Sequence, residues 1–309
     1  MIDSKLVSVI ITTHNRLPSI VLRAVNSVLN QTYGYIEIIV VDDSTYNYPY
    51  RAEVEKKIRE ASQGIIFIKH DECMGACAAR NTGLSYSKGN YVAFLDDDDE
   101  WLPEKIEKQI KGFTDSKIAL VYCGFWIIGE NNEKNIAQMT YMEGYVFPAL
   151  LKHDFTGITT SNPLIKKECL EEVGAFDVKM QSLQDYDMLL RIARKYPVSF
   201  IEQPLLICYC QDQNRISEDV DKQILGRKYI IAKYHKEIVL NKTAWYMNHR
   251  HLVILYVKKG WRKKAILLWT ECVRKRPLNI IGNMELLIFI ASGCDSLLYR
   301  LYKKNKAFQ

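Results

Sequence analysis

The N-terminal third of the chain alternates between short apolar runs and segments with helical spacing, and this alternation constrains the fold more than any other feature. A β-branched run predicts a strand over residues 6–12, and further apolar runs predict strands over residues 36–41, 65–69 and 91–95. Apolar residues three and four positions apart predict helices over residues 18–29, 54–61 and 76–87. Strands that alternate with helices form βαβ units, so we predict an α/β fold with a doubly wound, mostly parallel sheet.

Beyond residue 101 the pattern is less regular. It predicts helices over residues 103–113, 144–151, 166–173 and 184–196, and strands over residues 118–128 and 198–209. From about residue 218 onward the spacing is helical throughout. We therefore predict one large domain over residues 1–217, followed by a helical C-terminal region over residues 218–309.

Cysteine usage and the N-terminus favour a protein of the cytoplasm. The 309 residues include eight cysteines, none in a CxxC pair, so we expect reduced thiols rather than a disulfide framework or a zinc site. The first residues lack a basic segment followed by an apolar one, so no signal peptide is expected. No apolar stretch approaches the ~18 residues of a transmembrane helix.

Polar residues follow three of the predicted strands, at positions 12–15, 42–44 and 96–99. Because the carboxyl ends of parallel strands meet at one edge of a sheet, we expect these residues to form one site. The last group is four consecutive aspartates, whose charges repel one another. A divalent cation such as Mg²⁺ or Mn²⁺, which prefers oxygen ligands and bridges to phosphates, would offset that repulsion. The alternatives are a solvated acidic turn or an N-cap for the helix predicted from residue 103.

Six segments in a fixed order resemble family 2 inverting glycosyltransferases of the GT-A fold. They are VSVIITTHNR at 7–16, SVLNQT at 27–32, EIIVVDDS at 37–44, ARNTG at 79–83, GNYVAFLDDDDEW at 89–101, and GAFD at 174–177 followed by QDYD at 184–187. The resemblance covers roughly residues 5–210. It implies a Rossmann-like GT-A domain with a nucleotide-binding half at residues 1–101 and an acceptor half at residues 102–217. It also implies a metal-dependent, inverting hexosyltransferase that uses Mn²⁺ or Mg²⁺.

The resemblance assigns nucleotide and donor binding to one set of residues and the metal to another. The donor set is Thr12, Thr13, Asn15, Asp43, Gly75, Arg80, Asp96 and Asp97, and the metal ligand is Asp98. Asp43 would accept the imide N–H of uracil or thymine, which implies a UDP- or dTDP-linked donor. The alternatives are a helix cap for Asp43 and a surface ion pair of Arg80 with Asp42 or Glu72. Which of the four aspartates binds the metal directly stays open.

The resemblance also implies a catalytic base. An inverting transfer needs a carboxylate that takes the proton of the attacking hydroxyl, and Asp185 matches that position. The family usually has Glu before this Asp, whereas this chain has Gln184. We expect Gln184 and Ser161 on the acceptor side, and Asp187 in a structural pair with Arg191 at i+4. The alternative for Asp185 is a plain N-cap.

The acceptor is expected to be a glycan or a lipid-linked sugar. Polymerising members of the family carry a Gln-x-x-Arg-Trp element and many transmembrane helices, and neither occurs here. We therefore expect transfer of a single sugar, in surface polysaccharide synthesis. The non-enzymatic alternative is a pseudo-transferase that binds the nucleotide sugar without turning it over.

Positive charge is concentrated at the C-terminal end of the chain. Residues 221–309 hold 19 of the 42 Lys and Arg but only 5 of the 36 Asp and Glu. Basic clusters at residues 258–264, 274–276 and 297–304 alternate with Trp and Leu, which favours docking on an anionic membrane surface. A solvated basic face and a self-association surface are the alternatives. Nucleic acid is not an expected partner, since no nucleic-acid motif accompanies the charge. We expect a cytoplasmic protein, peripheral on the inner face of the membrane.

Overall fold

The structure is a computed structural model that describes residues 5–129, 131–153, 157–210 and 219–292. The chain divides into two units. The first comprises Met1–Phe147, Gly157–Val178 and Asp185–Gln213, and the second comprises Pro148–Thr156, Lys179–Gln184 and Asn214–Gln309. The predicted boundary between residues 217 and 218 lies outside the described residues.

The first unit is built on one sheet, which contains nine strands among the described residues. They are β1 Val7–Thr13, β2 Ile36–Asp42, β3 Ile66–Lys69, β4 Tyr91–Asp96, β5 Asp99–Trp101, β6 Leu120–Ile128, β7 Lys134–Ile136, β8 Leu164–Lys166 and β9 Val198–Tyr209. The order is β3-β2-β1-β4-β8-β6-β9-β5, with β7 paired to β6. Strands β1 to β4 are parallel to one another, and β8 runs antiparallel to β4 and β6.

Helices connect the strands and then make up the described C-terminal part of the chain. They are α1 Pro18–Leu29, α2 Arg51–Ala61, α3 Ala76–Tyr86, α4 Lys105–Lys111, α5 Phe147–Leu151, α6 Lys167–Glu172, α7 Gln184–Lys195, α8 Val220–Lys233, α9 His235–Leu240, α10 Lys242–Lys258, α11 Arg262–Lys275 and α12 Ile280–Ser292. Among the described residues, no helix combines the length and the apolar character that crossing a bilayer requires.

Most elements agree with the sequence predictions, including the short β3 and α6, but the three-residue strands do not. Three-residue strands such as β5 and β8 are too short to show a period of two, so the sequence did not predict them. The helix predicted over residues 144–151 was wrong in its first half. Gly144 instead bridges to Val198, and the helix begins at Phe147.

The core between β1 and its neighbours is apolar, and α3 lies against it at very close range. Val7, Val9 and Ile11 of β1 are fully buried, as is Ile10 on the other face of the strand. Gly83 of α3 faces Ile10 so closely that a Cβ at position 83 would overlap the isoleucine side chain. This packing sets the distance of α3 from the sheet, and α3 also carries Arg80.

Candidate active site

The end of β4 meets α3 through an ion pair. Thr12 of β1 is the register partner of Asp96, the last residue of β4. Arg80, which is buried, donates from Nη2 to Asp96 Oδ1 at 2.7 Å. The Asp96 side chain is still 34% exposed, so one side of this carboxylate is accessible. The predicted alternatives for Arg80, ion pairs with Asp42 or Glu72, are wrong.

Arg16 joins the next two carboxylates. Its Nε lies 3.1 Å from Asp97 Oδ1, and its Nη2 lies 3.0 Å from Asp98 Oδ2. Both aspartates are buried. Burial raises the pKa of Asp97 to about 7, since the opposing effect of Arg16 is partly cancelled by the negative charge of Asp98. Arg23 adds a hydrogen bond of 2.8 Å to the backbone oxygen of Asp98.

Asp99 completes the acidic group at the beginning of β5. Its side chain is buried, and burial together with the charges of Asp96 and Asp98 raises its pKa to about 8. Both alternatives for the four aspartates are therefore wrong. Three of the four are buried rather than solvated, and α4 begins after Glu104 without a side-chain cap.

Carboxylate oxygens packed together with a shortage of positive charge fit a divalent cation. Arg16 forms ion pairs with Asp97 and Asp98, and Arg80 forms one with Asp96. The pKa values of Asp97 and Asp99 are nevertheless raised, so the positive charge nearby does not fully offset the burial of these acids. Hard oxygen donors of this kind are the ligands that Mg²⁺ and Mn²⁺ prefer, so the residues present suit either ion.

The end of β2 has the opposite arrangement, because its acids are fully hydrogen-bonded. Asp43 accepts from the backbone N–H of Met74 at 2.7 Å and of Gly75 at 2.8 Å, and His70 Nδ1 lies 2.7 Å from its Oδ1. The Cys73 thiol adds a longer contact of 3.4 Å. Burial alone would raise the pKa of Asp43, but these hydrogen bonds outweigh it and the pKa is lowered.

Glycine is required in the turn that supplies those N–H groups. Gly75 has φ of 88° and lies at the N-cap of α3, a conformation that residues with a Cβ rarely adopt. Next to Asp43, Asp42 pairs with Arg51 at 2.7 Å. The acids after β2 therefore act as acceptors for the chain itself and not as a helix cap, which corrects the alternative for Asp43.

The loop after β1 is tied to the same region. Asn15 has φ of 50°, donates its backbone N–H to Ser44 Oγ at 2.9 Å and accepts from the backbone N–H of Thr45 at 3.0 Å. Thr13 is buried, and its carbonyl accepts the N–H of Asp43 at 2.9 Å. The residues after β1 and β2 that were predicted to bind the sugar nucleotide therefore lie side by side.

Ligand atoms of three side chains here also come close enough to hold a metal ion. Those of His14, Asp43 and Cys73 all lie within 4.8 Å of one another. Each oxygen of Asp43 already accepts a backbone N–H, and His14 Nδ1 is 2.7 Å from the Asp43 carbonyl. A metal at this position would compete with those bonds, whereas a cation after β4 would offset the burial and mutual repulsion of the acids there.

Asp185 lies at the second position of α7 and shares its electrostatic surroundings with the end of β4. The backbone N–H of Tyr186 lies 2.7 Å from its Oδ1. Burial raises the pKa of Asp185, and the charge of Asp96 adds to this, while Arg80 opposes it. The predicted pair of Asp187 with Arg191 is confirmed, since fully buried Asp187 accepts from Arg191 Nε at 2.9 Å.

The two residues expected on the acceptor side occupy different positions. Ser161 is fully buried; its Oγ accepts the N–H of Asp96 at 3.0 Å, and its carbonyl accepts from Trp101 Nε1 at 2.9 Å. Ser161 therefore holds the backbone of the acidic group in place. Gln184 is the first residue of α7 and is partly buried.

Sequence reasoning assigned no role to Arg16, His70 or Cys73. Arg16 stands in the first motif, and nothing in its spacing indicates a contact with acids more than 80 positions away. His70 follows β3 directly and donates toward Asp43, so the rule about polar residues at strand ends would have found it. Cys73 lies in the turn before α3, for which the sequence carries no periodic signal.

Comparisons with known proteins identify the family of the chain. The family model described as Glycosyl transferase family 2 matches residues 8–174. An uncharacterized glycosyltransferase of Methanocaldococcus jannaschii is 31% identical over 238 residues, which is 76% of this chain and 81% of that protein. The Escherichia coli UDP-Glc:alpha-D-GlcNAc-diphosphoundecaprenol beta-1,3-glucosyltransferase WfgD is 28% identical, over 83% of this chain and 96% of its own.

A solved structure extends the likeness to nearly the whole chain. The mannosyltransferase PcManGT of Pyrobaculum calidifontis, solved with GDP-Man and Mn²⁺, superposes with a TM-score of 0.60 at 16% identity. The match covers 98% of this chain and 84% of that one. It confirms the predicted α/β fold of GT-A type, with a mostly parallel sheet and a helical C-terminal region.

Proposed function

The chain belongs to glycosyl transferase family 2, and we propose that it is an inverting hexosyltransferase. It moves a single sugar from a UDP- or dTDP-linked donor to a hydroxyl of a glycan or lipid-linked acceptor. The observation that carries the proposal is the acidic end of β4, where Asp96, Asp97 and Asp98 form ion pairs with two arginines in the described part of the chain. We further propose that residues 1–101 bind the nucleotide and residues 102–217 the acceptor.

The nucleobase binds at the end of β2 in this proposal. A carboxylate offers about four acceptor positions, and four donors already approach Asp43: the His70 ring, two backbone N–H groups and the Cys73 thiol. The thiol is the weakest donor and its contact is the longest. A uracil or thymine N–H would replace it, while Thr12, Thr13, Asn15 and Gly75 line the base and ribose. The UDP-Glc in the name of the E. coli relative supports a uridine donor.

The diphosphate lies at the end of β4. Asp98 would hold a Mn²⁺ or Mg²⁺ ion, which when bound offsets the charge that develops on the leaving diphosphate. Asp96 and Asp97 contact ribose or sugar hydroxyls, and Arg80 fixes Asp96. The P. calidifontis mannosyltransferase was solved with Mn²⁺, which supports the choice of ion.

Asp185 is the catalytic base. The acceptor oxygen forms a bond to the anomeric carbon as the bond from that carbon to the diphosphate oxygen breaks, and the hydroxyl proton moves to the Asp185 carboxylate. A pKa raised by burial suits this role, because it brings the basicity of the carboxylate closer to the working pH. Gln184 lies on the acceptor side, and Ser161 acts indirectly by holding the backbone of Asp96.

A lipid-linked acceptor places the reaction at a membrane. The E. coli relative has a diphosphoundecaprenol-linked acceptor in its name. We propose by analogy that this protein acts in surface polysaccharide synthesis, in the cytoplasm and peripherally on the inner face of the membrane.

A thermal-shift panel tests the proposal. The protein is melted with UDP, dTDP, GDP and the matching sugar nucleotides, with and without Mn²⁺. We expect UDP or dTDP to stabilise it only with metal, and Asp98→Ala to remove that effect. Release of nucleoside diphosphate from the stabilising donor then separates an enzyme from a pseudo-transferase, which would bind without turnover. Stabilisation that ignores the metal would contradict the proposed site.

A further inference from the structure

Helix α12 is apolar on both of its faces. One face, with Leu286, Phe289 and Ile290, is buried within the second unit. The other face is exposed and still apolar. We call it the apolar stripe, and its members are Ile280, Ile281, Met284, Leu287 and Ile288, which are 67%, 76%, 50%, 36% and 45% exposed. A solvated helix normally turns polar side chains to water, so this face fits another environment.

The spacing of the stripe shows that it is one continuous surface. Its members follow one another at steps of one, three, three and one residues, which places them on one side of an α-helix. Glu285, the one charged residue in the helix, points elsewhere and pairs with Arg250 at 3.2 Å. The stripe therefore carries no charge along its length.

The neighbouring helix adds apolar side chains and positive charge. Trp269 of α11 donates from Nε1 to the Asn283 carbonyl of α12 at 3.0 Å, which joins the two helices. On α11, Ile266 and Leu267 are 46% and 68% exposed, and Leu278 in the connection is 92% exposed. The exposed ionisable residues of α11 are Arg262, Lys263, Lys264, Arg274 and Lys275 against a single Glu271.

We propose that the α11–α12 hairpin docks on an anionic lipid bilayer, with the apolar stripe inserted at the level of the headgroups. Cations beside an uncharged apolar face are the composition that binds such a surface. A second copy of the chain is a poorer occupant, because a two-fold contact would bring the α11 cations of both copies together. With 13 residues, α12 lies in the interface rather than across the membrane.

This inference rests on the proposed function only for its purpose, which is to bring the enzyme to a lipid-linked acceptor. Binding to vesicles needs neither donor nor acceptor. Failure to bind vesicles would therefore leave the sugar-transfer proposal standing, and failure of sugar transfer would leave vesicle binding measurable.

The test is co-sedimentation of the full-length protein with vesicles. Vesicles of phosphatidylcholine alone are compared with vesicles that also contain phosphatidylglycerol. We expect binding to the anionic vesicles only, weakened by salt. The double variant Ile281→Gln with Ile288→Gln should lose at least about tenfold in affinity. Lys263→Gln should lose about fivefold, in line with one cation near an anionic surface.

Leu240→Gln is the matched control, since Leu240 is 87% exposed on α9, outside the stripe. It should bind like the unchanged protein. Equal binding by the stripe variant and the control would overturn the proposal. The proposal would also be overturned if the protein did not bind vesicles and light scattering showed a dimer that dissociates when the stripe is substituted.

Thermal melting of the same variants covers the remaining outcome. Because the stripe is exposed, its substitution should leave the melting temperature nearly unchanged. A drop of several degrees without loss of vesicle binding would mean that the chain itself covers the stripe, and it too would overturn the proposal. The basic cluster predicted at residues 297–304 lies outside the described residues, and the proposal does not depend on it.

Discussion

The two acidic strand ends of the first unit contain the same residue type in opposite electrostatic conditions. After β2, Asp43 is held by donors on both oxygens and its pKa is lowered. After β4, burial raises the pKa of Asp97 to about 7 and of Asp99 to about 8. At the first end the chain's own N–H groups stabilise the ionised acid, whereas at the second end burial and neighbouring negative charges destabilise the ionised acids. The cation that we propose would bind at the second end.

The largest effect is expected on turnover. If the reaction takes place at the end of β4, removing the proposed base Asp185 should reduce catalysis without affecting nucleotide binding. We expect Asp185→Asn to lower kcat by about 10²–10⁴, with UDP affinity unchanged in the thermal-shift assay. The acid limb of the rate–pH profile, which should lie above the usual pKa of aspartate because burial raises that of Asp185, should disappear. A normal kcat in this variant would assign the base elsewhere.

The next largest effect is expected at Asp98. Asp98→Asn should lower kcat by about 10²–10³ and remove the stabilisation by Mn²⁺. The matched control is Asp99→Asn. In the metal-free protein the raised pKa of Asp99 favours its protonated form, which an amide resembles, and we expect a change of only a few-fold. Equal losses in the two variants would show that the metal is not held at Asp98 in particular.

Stability should change in opposite directions at the two strand ends. Asp43→Asn leaves buried N–H groups without a full acceptor and should destabilise by about 1–3 kcal/mol. Asp97→Asn removes a buried charge next to Asp98 and should stabilise the metal-free protein at pH 8 by about 1–2 kcal/mol. Thermal unfolding with a chelator present measures both, with exposed Glu53→Gln as the control.

The pH dependence of the Asp43 effect follows from the sign of its shift. A lowered pKa in the folded state means that the stabilisation is present above the unfolded value, near 4, and is lost as the pH falls through the folded value. The difference in free energy of unfolding between Asp43→Asn and the unchanged protein should therefore become smaller as the pH falls. If Asp43→Asn and Asp97→Asn changed the stability in the same direction, the two strand ends would not differ as described.

The smallest effect concerns Arg16. Its guanidinium forms ion pairs with Asp97 and Asp98 and neutralises part of their negative charge. Arg16→Gln should tighten Mn²⁺ binding by about fivefold, because a nearby cation is removed. Thermal shift against Mn²⁺ concentration measures this, with exposed Arg59→Gln as the control. Weaker binding would mean that Arg16 mainly orients the carboxylates.

Much of this comparison could be predicted from the sequence. Apolar runs located β1, β2 and β4, and the rule that parallel strands end at one edge predicted that Asp43 and the four aspartates lie at the same edge. The helix that contains Asp185 was predicted from apolar residues at helical spacing. These predictions succeed because each depends on local period and on a general property of parallel sheets.

The rest depends on packing between distant segments. The contact of Arg16 with Asp98 requires the loop after β1 to approach the end of β4, and no periodic signal encodes that approach. The burial of Asp99 depends on β5, whose pairing with β9 is set by the partner strand and not by its own three residues. The hydrogen bonds of Asp43 depend on the left-handed turn at Gly75, which sequence spacing alone does not orient.

The close packing of α3 on β1 has a consequence for how this protein can be varied. Position 83 is closed to any residue with a side chain, because the helix would have to move away from Ile10. Arg80 stands one turn earlier and would move with it, loosening its hold on Asp96. A conservative Gly83→Ala could thus impair catalysis from a position that touches no substrate. Libraries that diversify specificity should keep this glycine fixed and vary exposed loops instead.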